Sequence, residues 1–217
     1  MSALSSIKMA QANIWQDNYS FVNIAEDLES IRKSHINLAI WQRPVDPTML
    51  PIIQWLAKEP FELEYKVDVE DVSRSLHKHI TAPLEFEQSR YRLIADIQRL
   101  AVIFADYAVT RSIRLIVESV HDVPCPKFHQ DNVPLRLICT YAGAGTEWLE
   151  NSNVNTHADC CGGSLVRDKS RIGQLKPFEV ALMKGKLWPK NDIGIYHRSP
   201  KPEADKPRLV VKMDVAS

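Results

Sequence analysis

The residues best suited to chemistry in this chain are a histidine and an aspartate one position apart. His129 and Asp131 stand just before a segment whose apolar residues alternate, as in a β-strand. Because side chains at positions i and i+2 of a strand point to the same side, both could contact one metal ion. An imidazole nitrogen and a carboxylate oxygen suit Fe(II), Mn(II) or Zn(II). The pair alone is weak evidence, because the chain has a second one at His157 and Asp159.

A three-residue metal site needs another histidine from a neighbouring strand, and His197 is the best candidate. It ends an apolar run and follows Asp131 by 66 residues. Arg208 comes eleven residues later and opens another apolar run, where its guanidinium could form a bidentate pair with a carboxylate. The spacing therefore predicts a metal site made by His129, Asp131 and His197, with Arg208 near it.

These residues and the stretches around them, DNVPLRLICTY and MKGKLWPKNDIGIYH, resemble the Fe(II)/2-oxoglutarate-dependent oxygenases, in particular the prolyl-hydroxylase-like branch. The resemblance covers residues 111–214. It implies a double-stranded β-helix (jelly-roll) with the two histidines and the aspartate as iron ligands. It also implies that Arg208 holds the distal carboxylate of 2-oxoglutarate, with Tyr141 as a second partner. The implied activity is that of a dioxygenase that hydroxylates a small molecule or a protein.

The C-terminal half also resembles a bacterial family described only as a domain of unknown function. The matching stretches are CPKFHQDNVPLRLICTYAGAGTEWL, MKGKLWPKN and YHRSP. This second resemblance is closer than the first, and it implies no activity.

Several residues favour other interpretations of the same site. Arg198 and Lys212 are alternatives to Arg208 as the residue that holds the distal carboxylate of 2-oxoglutarate. Lys212 lies on the same side of its strand as Arg208, where an unpaired lysine is costly. Cys125 lies four residues before His129 and could add a thiolate ligand, which would favour zinc over iron. The alternatives are therefore a non-catalytic jelly-roll that handles zinc or iron, and a cupin-like enzyme that does not use 2-oxoglutarate.

Two other polar groups are assigned structural roles. Arg136 lies within a predicted strand, on the face opposite Leu135 and Leu137, where an ion pair is favoured over a contact with a ligand. The second histidine–aspartate pair belongs to the segment 157–161, whose adjacent cysteines form an awkward chelate. A polar loop is therefore favoured there over a second metal site.

The elements that must position the site change character near residue 110. Apolar residues at helical spacing predict helices at 47–58, 69–80 and 85–109. Short strands are predicted at 36–41, 111–118, 135–139, 146–149, 179–182, 193–197 and 209–213. A polar segment at 151–173 indicates a loop or lid. This pattern predicts an α+β fold class with a small β-sandwich or barrel in the C-terminal half. Together with the jelly-roll that the oxygenase resemblance implies, we expect a single domain, 1–217, whose mainly helical part at 1–110 packs on a jelly-roll core at 111–217.

Composition argues against some classes of function. The 217 residues include 27 basic and 27 acidic side chains, so the net charge is zero and a nucleic-acid partner is not expected. No window approaches the ~18 apolar residues of a membrane span, and the N-terminus lacks the apolar core of a signal peptide. With four cysteines and no signal peptide, we expect a cytoplasmic protein with free thiols.

Overall fold

The computed structural model describes residues 18–122, 124–156, 164–189, 194–201 and 206–216. The segment 157–161, with the second histidine–aspartate pair, lies outside the described residues, and so does the start of the strand predicted at 193–197. None of the helices in the described ranges is both long and apolar enough to cross a membrane.

The α-helices of the described chain all precede residue 111. They are α1 (Leu50–Lys58), α2 (Val72–His79) and α3 (Glu87–Ala108). Each continues a single 3-10 turn, so the three predicted helices are confirmed, with their first residues in 3-10 form. Helix α3 buries one apolar stripe and ends where Val109 adopts a left-handed conformation with φ of 52°. A 3-10 helix at Ala25–Arg32 was not predicted.

The described strands form two sheets. The strands of the large sheet are β1 (Tyr19–Val22), β2 (Leu38–Trp41), β3 (Glu62–Asp68), β4 (Ser112–Val120), β5 (Leu135–Ala142), β8 (Val180–Lys184) and β10 (Arg208–Val215). The strands of the small sheet are β6 (Glu147–Leu149), β7 (Ile172–Gln174) and β9 (His197–Arg198). Their orders are β1-β2-β8-β5-β10-β4-β3 and β7-β6-β9. Among these described strands, only β1 and β2 pair in parallel.

From β4 onward, the chain passes back and forth between the two sheets. Strands β4, β5, β8 and β10 are neighbours in the large sheet, whereas β6, β7 and β9 form the small one. A single antiparallel bridge between His129 and His197 adds the segment before β5 to the small sheet, beside β9. The fold therefore brings the first and the last predicted metal ligands onto adjacent backbones.

The large sheet is not confined to the C-terminal half of the chain. Strands β1, β2 and β3 come from the region before residue 111, and only β2 among them was predicted. The residues of β3 alternate between exposed and half-buried, because this strand is at the edge of the sheet. Its sequence, ELEYKVD, therefore lacks the apolar run by which the buried strands were predicted.

Two hydrophobic cores pack against opposite faces of the large sheet. The larger core contains buried residues of both the helices and the sheet, for example Phe104 of α3 with Leu115 and Met213 of the strands. The smaller core lies between the sheets and includes Ile138 and Trp148. Since side chains alternate along a strand, successive residues of the central strands face the helices or the small sheet in turn.

A buried ion pair ties α3 to the segment after β2. Arg43 donates two hydrogen bonds to the carboxylate of Asp96, at 2.6 and 2.7 Å. Its Nε donates to the carbonyl oxygen of Phe178 at 2.7 Å, and the Tyr141 hydroxyl donates to Asp96 at 2.6 Å. This cluster therefore connects the helix layer to the loop before β8 and to β5.

Arg43→Ala is expected to lower the free energy of unfolding by about 3–5 kcal/mol, because it leaves the Asp96 carboxylate without its opposite charge in a buried place. Urea denaturation followed by circular dichroism measures this loss. Arg74→Ala is the matched control, since Arg74 pairs with Asp71 on the surface and its removal should cost less than about 1 kcal/mol. Equal losses in the two variants would contradict the role assigned to Arg43.

Candidate metal centre

His129, Asp131 and His197 lie together where the bridge joins the segment before β5 to β9. The backbone N–H of each histidine donates to the carbonyl oxygen of the other, at 3.0 and 2.9 Å. Nε2 of His197 lies 3.2 Å from Asp131 Oδ2, and Nε2 of His129 lies 3.7 Å from Oδ1. One ligand atom from each residue lies within 4.8 Å of the other two. The structure thus brings the three predicted ligands into a cluster of the size that one metal ion requires.

The backbone determines which nitrogen of each histidine is available. Nδ1 of His129 lies 3.0 Å from the carbonyl oxygen of Lys127, and Nδ1 of His197 lies 3.3 Å from that of Ile195. A neutral imidazole that donates from Nδ1 carries its lone pair on Nε2. Both Nε2 atoms are therefore available as metal ligands, with the rings oriented by backbone carbonyls as in known metal sites.

Asp131 is largely buried, and its neighbours keep it charged. Burial by itself raises the pKa of the carboxyl group, but the interactions with His197, Arg136 and His129 outweigh it, so the pKa falls from 3.8 to about 2. Among the described residues, none donates a hydrogen bond in good geometry to Oδ2, although nitrogens of His197 and Arg136 lie at 3.2 and 2.8 Å. A largely buried carboxylate that stays charged beside two imidazole nitrogens fits a metal cation.

The turn after β8 holds the backbone of Asp131 in place. The N–H of Lys186 donates to the carbonyl oxygen of Asp131 at 2.9 Å. This approach requires glycine at position 185, since a Cβ there would lie 2.1 Å from the carbonyl oxygen of Val133. The stretch MKGKLWPKN, which carried part of the sequence resemblance, thus helps to position Asp131, a candidate metal ligand.

A narrow cavity of about 80 Å³ is lined by both histidines and by Arg208. The guanidinium of Arg208 is buried, and its Nε donates to the carbonyl oxygen of Ala144 at 2.6 Å. Burial lowers the pKa of Arg208 to about 10 against the opposing effect of Glu118, so the group is charged at neutral pH. A buried guanidinium with N–H groups to spare can bind a carboxylate in this cavity.

The two rival anchors already have partners of opposite charge. Arg198 donates from Nε to Glu147 at 2.6 Å. Lys212 lies 2.6 Å from Glu118, which removes the cost expected for an unpaired inward lysine. Among the described cations that line the cavity, Arg208 is the one without an ion pair.

The prediction that Tyr141 shares a carboxylate with Arg208 is wrong. Tyr141 faces the helices, together with Leu137 and Cys139 of β5, and its hydroxyl donates to Asp96. Arg208 faces the small sheet, so the two side chains lie on opposite faces of the large sheet. The alternation of β5 was visible in the sequence and could have excluded Tyr141.

Cys125 lies at the wall of the cavity, but it does not belong to the cluster of metal donors. Its thiol is free and exposed, and the described donor cluster consists of the two histidines and Asp131 alone. The described geometry therefore gives the zinc alternative no added thiolate ligand.

Arg136 has a contact that the sequence did not indicate. The predicted ion pair is confirmed, since Nε and Nη2 donate to the two oxygens of Asp214 at 2.7 and 2.6 Å. In addition, Nη1 lies 2.8 Å from Asp131 Oδ2. The chain bends at residues 132–134, between Asp131 and β5, and a sequence pattern does not indicate how close such a bend brings two side chains.

A family model described as "Protein of unknown function (DUF1826)" matches residues 23–214, which confirms the resemblance to a family of unknown function. Among curated proteins, none matches the chain.

Several solved structures are similar to this one at low sequence identity. A BsmA homologue from Methylobium petroleophilum is 11% identical, with a TM-score of 0.49, over 91% of this chain and 95% of that one. A prolyl-4-hydroxylase from Pseudomonas putida is 8% identical, with a TM-score of 0.45, over 89% and 100%. A full-length protein from Neurospora crassa, solved in complex with alpha-KG, is 11% identical, with a TM-score of 0.43, over 88% and 78%.

Gly185→Ala is expected to destabilise the protein by about 1–3 kcal/mol, because the added methyl group collides with the carbonyl of Val133 and displaces the turn that holds Asp131. The affinity for Co(II) should also fall, because Asp131 is displaced. Thermal unfolding measures the loss of stability, and titration with Co(II) measures the loss of affinity. Lys186→Ala is the matched control, since it removes an exposed side chain and leaves the backbone N–H. Wild-type affinity in Gly185→Ala would contradict this role for the turn.

Asp131 should make the metal-free protein sensitive to acid. Its pKa lies at about 2 in the folded protein against an ordinary value of 3.8, so the stabilisation from its charge is complete above pH 3.8 and is lost as the pH falls to 2. The free energy of unfolding of Asp131→Asn should therefore lie below that of the wild type near neutral pH and approach it at about pH 2. Urea titrations across this range measure the difference.

The control is Asp122→Asn, an exposed residue in the turn after β4, which should follow the wild-type curve at every pH. A difference between Asp131→Asn and wild type that stays constant with pH would contradict the assignment.

Proposed function

The chain belongs to the DUF1826 family, and we propose that it is an Fe(II)/2-oxoglutarate-dependent dioxygenase that hydroxylates its substrate. The observation that carries the proposal is a single cavity with two functional parts. His129 and His197, which cluster with Asp131, line one part, and the buried Arg208, which has no ion pair among the described residues, lines the other. The sequence resemblance to this class of oxygenase rests on the same four residues.

The strand order supports a double-stranded β-helix as the fold of this enzyme. Strands β4 to β10 are seven, and the bridged segment at His129 makes eight. They alternate between two sheets, as the strands of a jelly-roll do. In this arrangement the ligands come from the small sheet and its bridged edge, and Arg208 comes from β10 of the large sheet.

The donor set fits iron. Two imidazoles and one carboxylate form the set that non-haem Fe(II) oxygenases use, with positions left open for other ligands. When bound, the iron supplies the redox chemistry by which dioxygen oxidises 2-oxoglutarate and a C–H bond of the substrate. The protein holds the ion through His129 Nε2, His197 Nε2 and the carboxylate of Asp131.

Arg208 would bind and orient the co-substrate. Its guanidinium can donate two parallel hydrogen bonds to the distal carboxylate of 2-oxoglutarate. Because the group is buried, water does not compete for these bonds, and the attraction between opposite charges is stronger than it would be at the surface. The carbonyl oxygen of Ala144 accepts from Nε and so restricts the rotation of the guanidinium.

The test is the decarboxylation of 2-oxoglutarate in the absence of a second substrate. Purified protein with Fe(II), ascorbate and carboxyl-labelled 2-oxoglutarate should release labelled carbon dioxide slowly. Asp131→Ala should abolish this release, because the metal loses its anionic ligand. Arg208→Gln should raise the KM for 2-oxoglutarate about 10- to 100-fold, the value of charge-assisted hydrogen bonds.

The control is Arg74→Gln, which changes an exposed arginine on α2 and should leave the release of carbon dioxide unchanged. The proposal would be overturned by a protein that binds zinc tightly and shows no binding of 2-oxoglutarate by calorimetry with Mn(II) under nitrogen. That result would favour the metal-handling alternative.

A further inference from the structure

Asp131 has a charged neighbour outside the set of metal donors. Nη1 of Arg136 lies 2.8 Å from Asp131 Oδ2, and the two side chains are only 15% and 12% exposed. Oδ2 also faces Nε2 of His197 at 3.2 Å, whereas Oδ1 faces His129 at 3.7 Å. The guanidinium therefore contacts one oxygen of the carboxylate and leaves Oδ1 without such a contact.

Arg136 is itself held from the opposite side. Its Nε and Nη2 donate to both oxygens of Asp214, the residue directly across from it in the pairing of β5 with β10. Asp214 is buried, and Arg114 lies 3.6 Å from it. A guanidinium that makes a two-pronged bond to a buried carboxylate has little freedom to rotate. The position of Nη1 beside Asp131 is therefore set by the large sheet.

We propose that Arg136 is a positioning residue that makes Asp131 bind the metal through Oδ1 alone. This inference rests on the metal site of the proposed function. Carboxylates bind metals through one oxygen or through two, and the second mode occupies two coordination positions. On an octahedral ion, two histidines and one oxygen leave about three positions for other ligands, whereas a carboxylate bound through both oxygens leaves about two. Arg136 thereby preserves the positions that a chelating co-substrate and dioxygen need.

The experiment counts the water molecules bound to Mn(II), which is added alone to the full chain. The field dependence of the relaxation of solvent protons gives this number. We expect about three bound waters in the wild type and about two in Arg136→Gln, because Oδ2 loses the positive charge beside it and can turn onto the metal. A role of Arg136 in stability alone would not change the number of waters on the ion.

Two further variants make the result decisive. Arg136→Gln leaves the buried Asp214 with Arg114, 3.6 Å away, as its described ion-pair partner. The double variant Arg136→Gln/Asp214→Asn replaces the pair of Arg136 and Asp214 with amides and should show the same loss of one water. Arg114→Gln is the matched control, because the described ion pairs of Arg114 are with Glu64 and Asp214. It should keep the wild-type number of bound waters.

The outcomes separate the inference from the proposed function. An equal number of waters in the wild type and in the folded double variant would overturn the positioning role and leave the metal site standing. A loss of one water in Arg114→Gln as well would also overturn it, since the effect would then not be specific to Arg136. Failure of the wild type to bind Mn(II) or Fe(II) would overturn the proposed function, and this inference with it.

Discussion

The site depends on two backbone hydrogen bonds between His129 and His197. Each bond joins the segment before β5 to β9, and a third backbone bond, from the N–H of Ser199 to the carbonyl oxygen of Cys125, joins the same parts of the chain. Without them, two ligands that are far apart in the sequence would have no fixed distance. Because the bonds are made by backbone groups, they place both rings whatever the side chains contact, and the carbonyls of Lys127 and Ile195 then set the ring orientations. The geometry of the candidate metal site thus depends first on strand pairing and then on side-chain contacts.

The large sheet separates two charged clusters that have different roles. On the side of the helices, Arg43 and Asp96 form a closed pair whose hydrogen bonds are satisfied within the protein. On the side of the small sheet, Arg136 shares its charge between Asp214 and Asp131, and Arg208 has no ion pair among the described residues. A buried ion pair whose hydrogen bonds are all made holds parts of a fold together. A buried charge with unbonded N–H groups lowers the stability of the fold unless a ligand binds to it. This difference is the physical reason for placing function on the second side.

The net charge of zero gives no indication that charges are paired differently on the two faces of the large sheet. Equal numbers of acidic and basic residues argue against a broad anion-binding surface, and they say nothing about a buried cavity. Lys212 and Arg198 are neutralised by Glu118 and Glu147, which removes them as competitors of Arg208. One unpaired guanidinium in a narrow cavity is enough to bind one carboxylate, and it leaves the net charge of the protein unchanged.

The sequence by itself determined the identity of the three candidate ligands, because side chains at positions i and i+2 share a side and the spacing to His197 is distinctive. It also determined the three helices and most of the strands, since apolar periodicity reports which face is buried. It missed β1, β3 and β7, which are at the edges of their sheets and lack a clear apolar pattern, and β7 begins within the segment predicted as a loop or lid. The role that the resemblance gave to Tyr141 is excluded by the face of β5 on which Tyr141 lies. Only the tertiary structure decided which cation is unpaired and that Arg136 touches Asp131, because both depend on strand register and on side chains that meet from distant segments. Period and spacing are local properties of a chain, whereas ion pairs and cavities exist only after packing has brought those segments together.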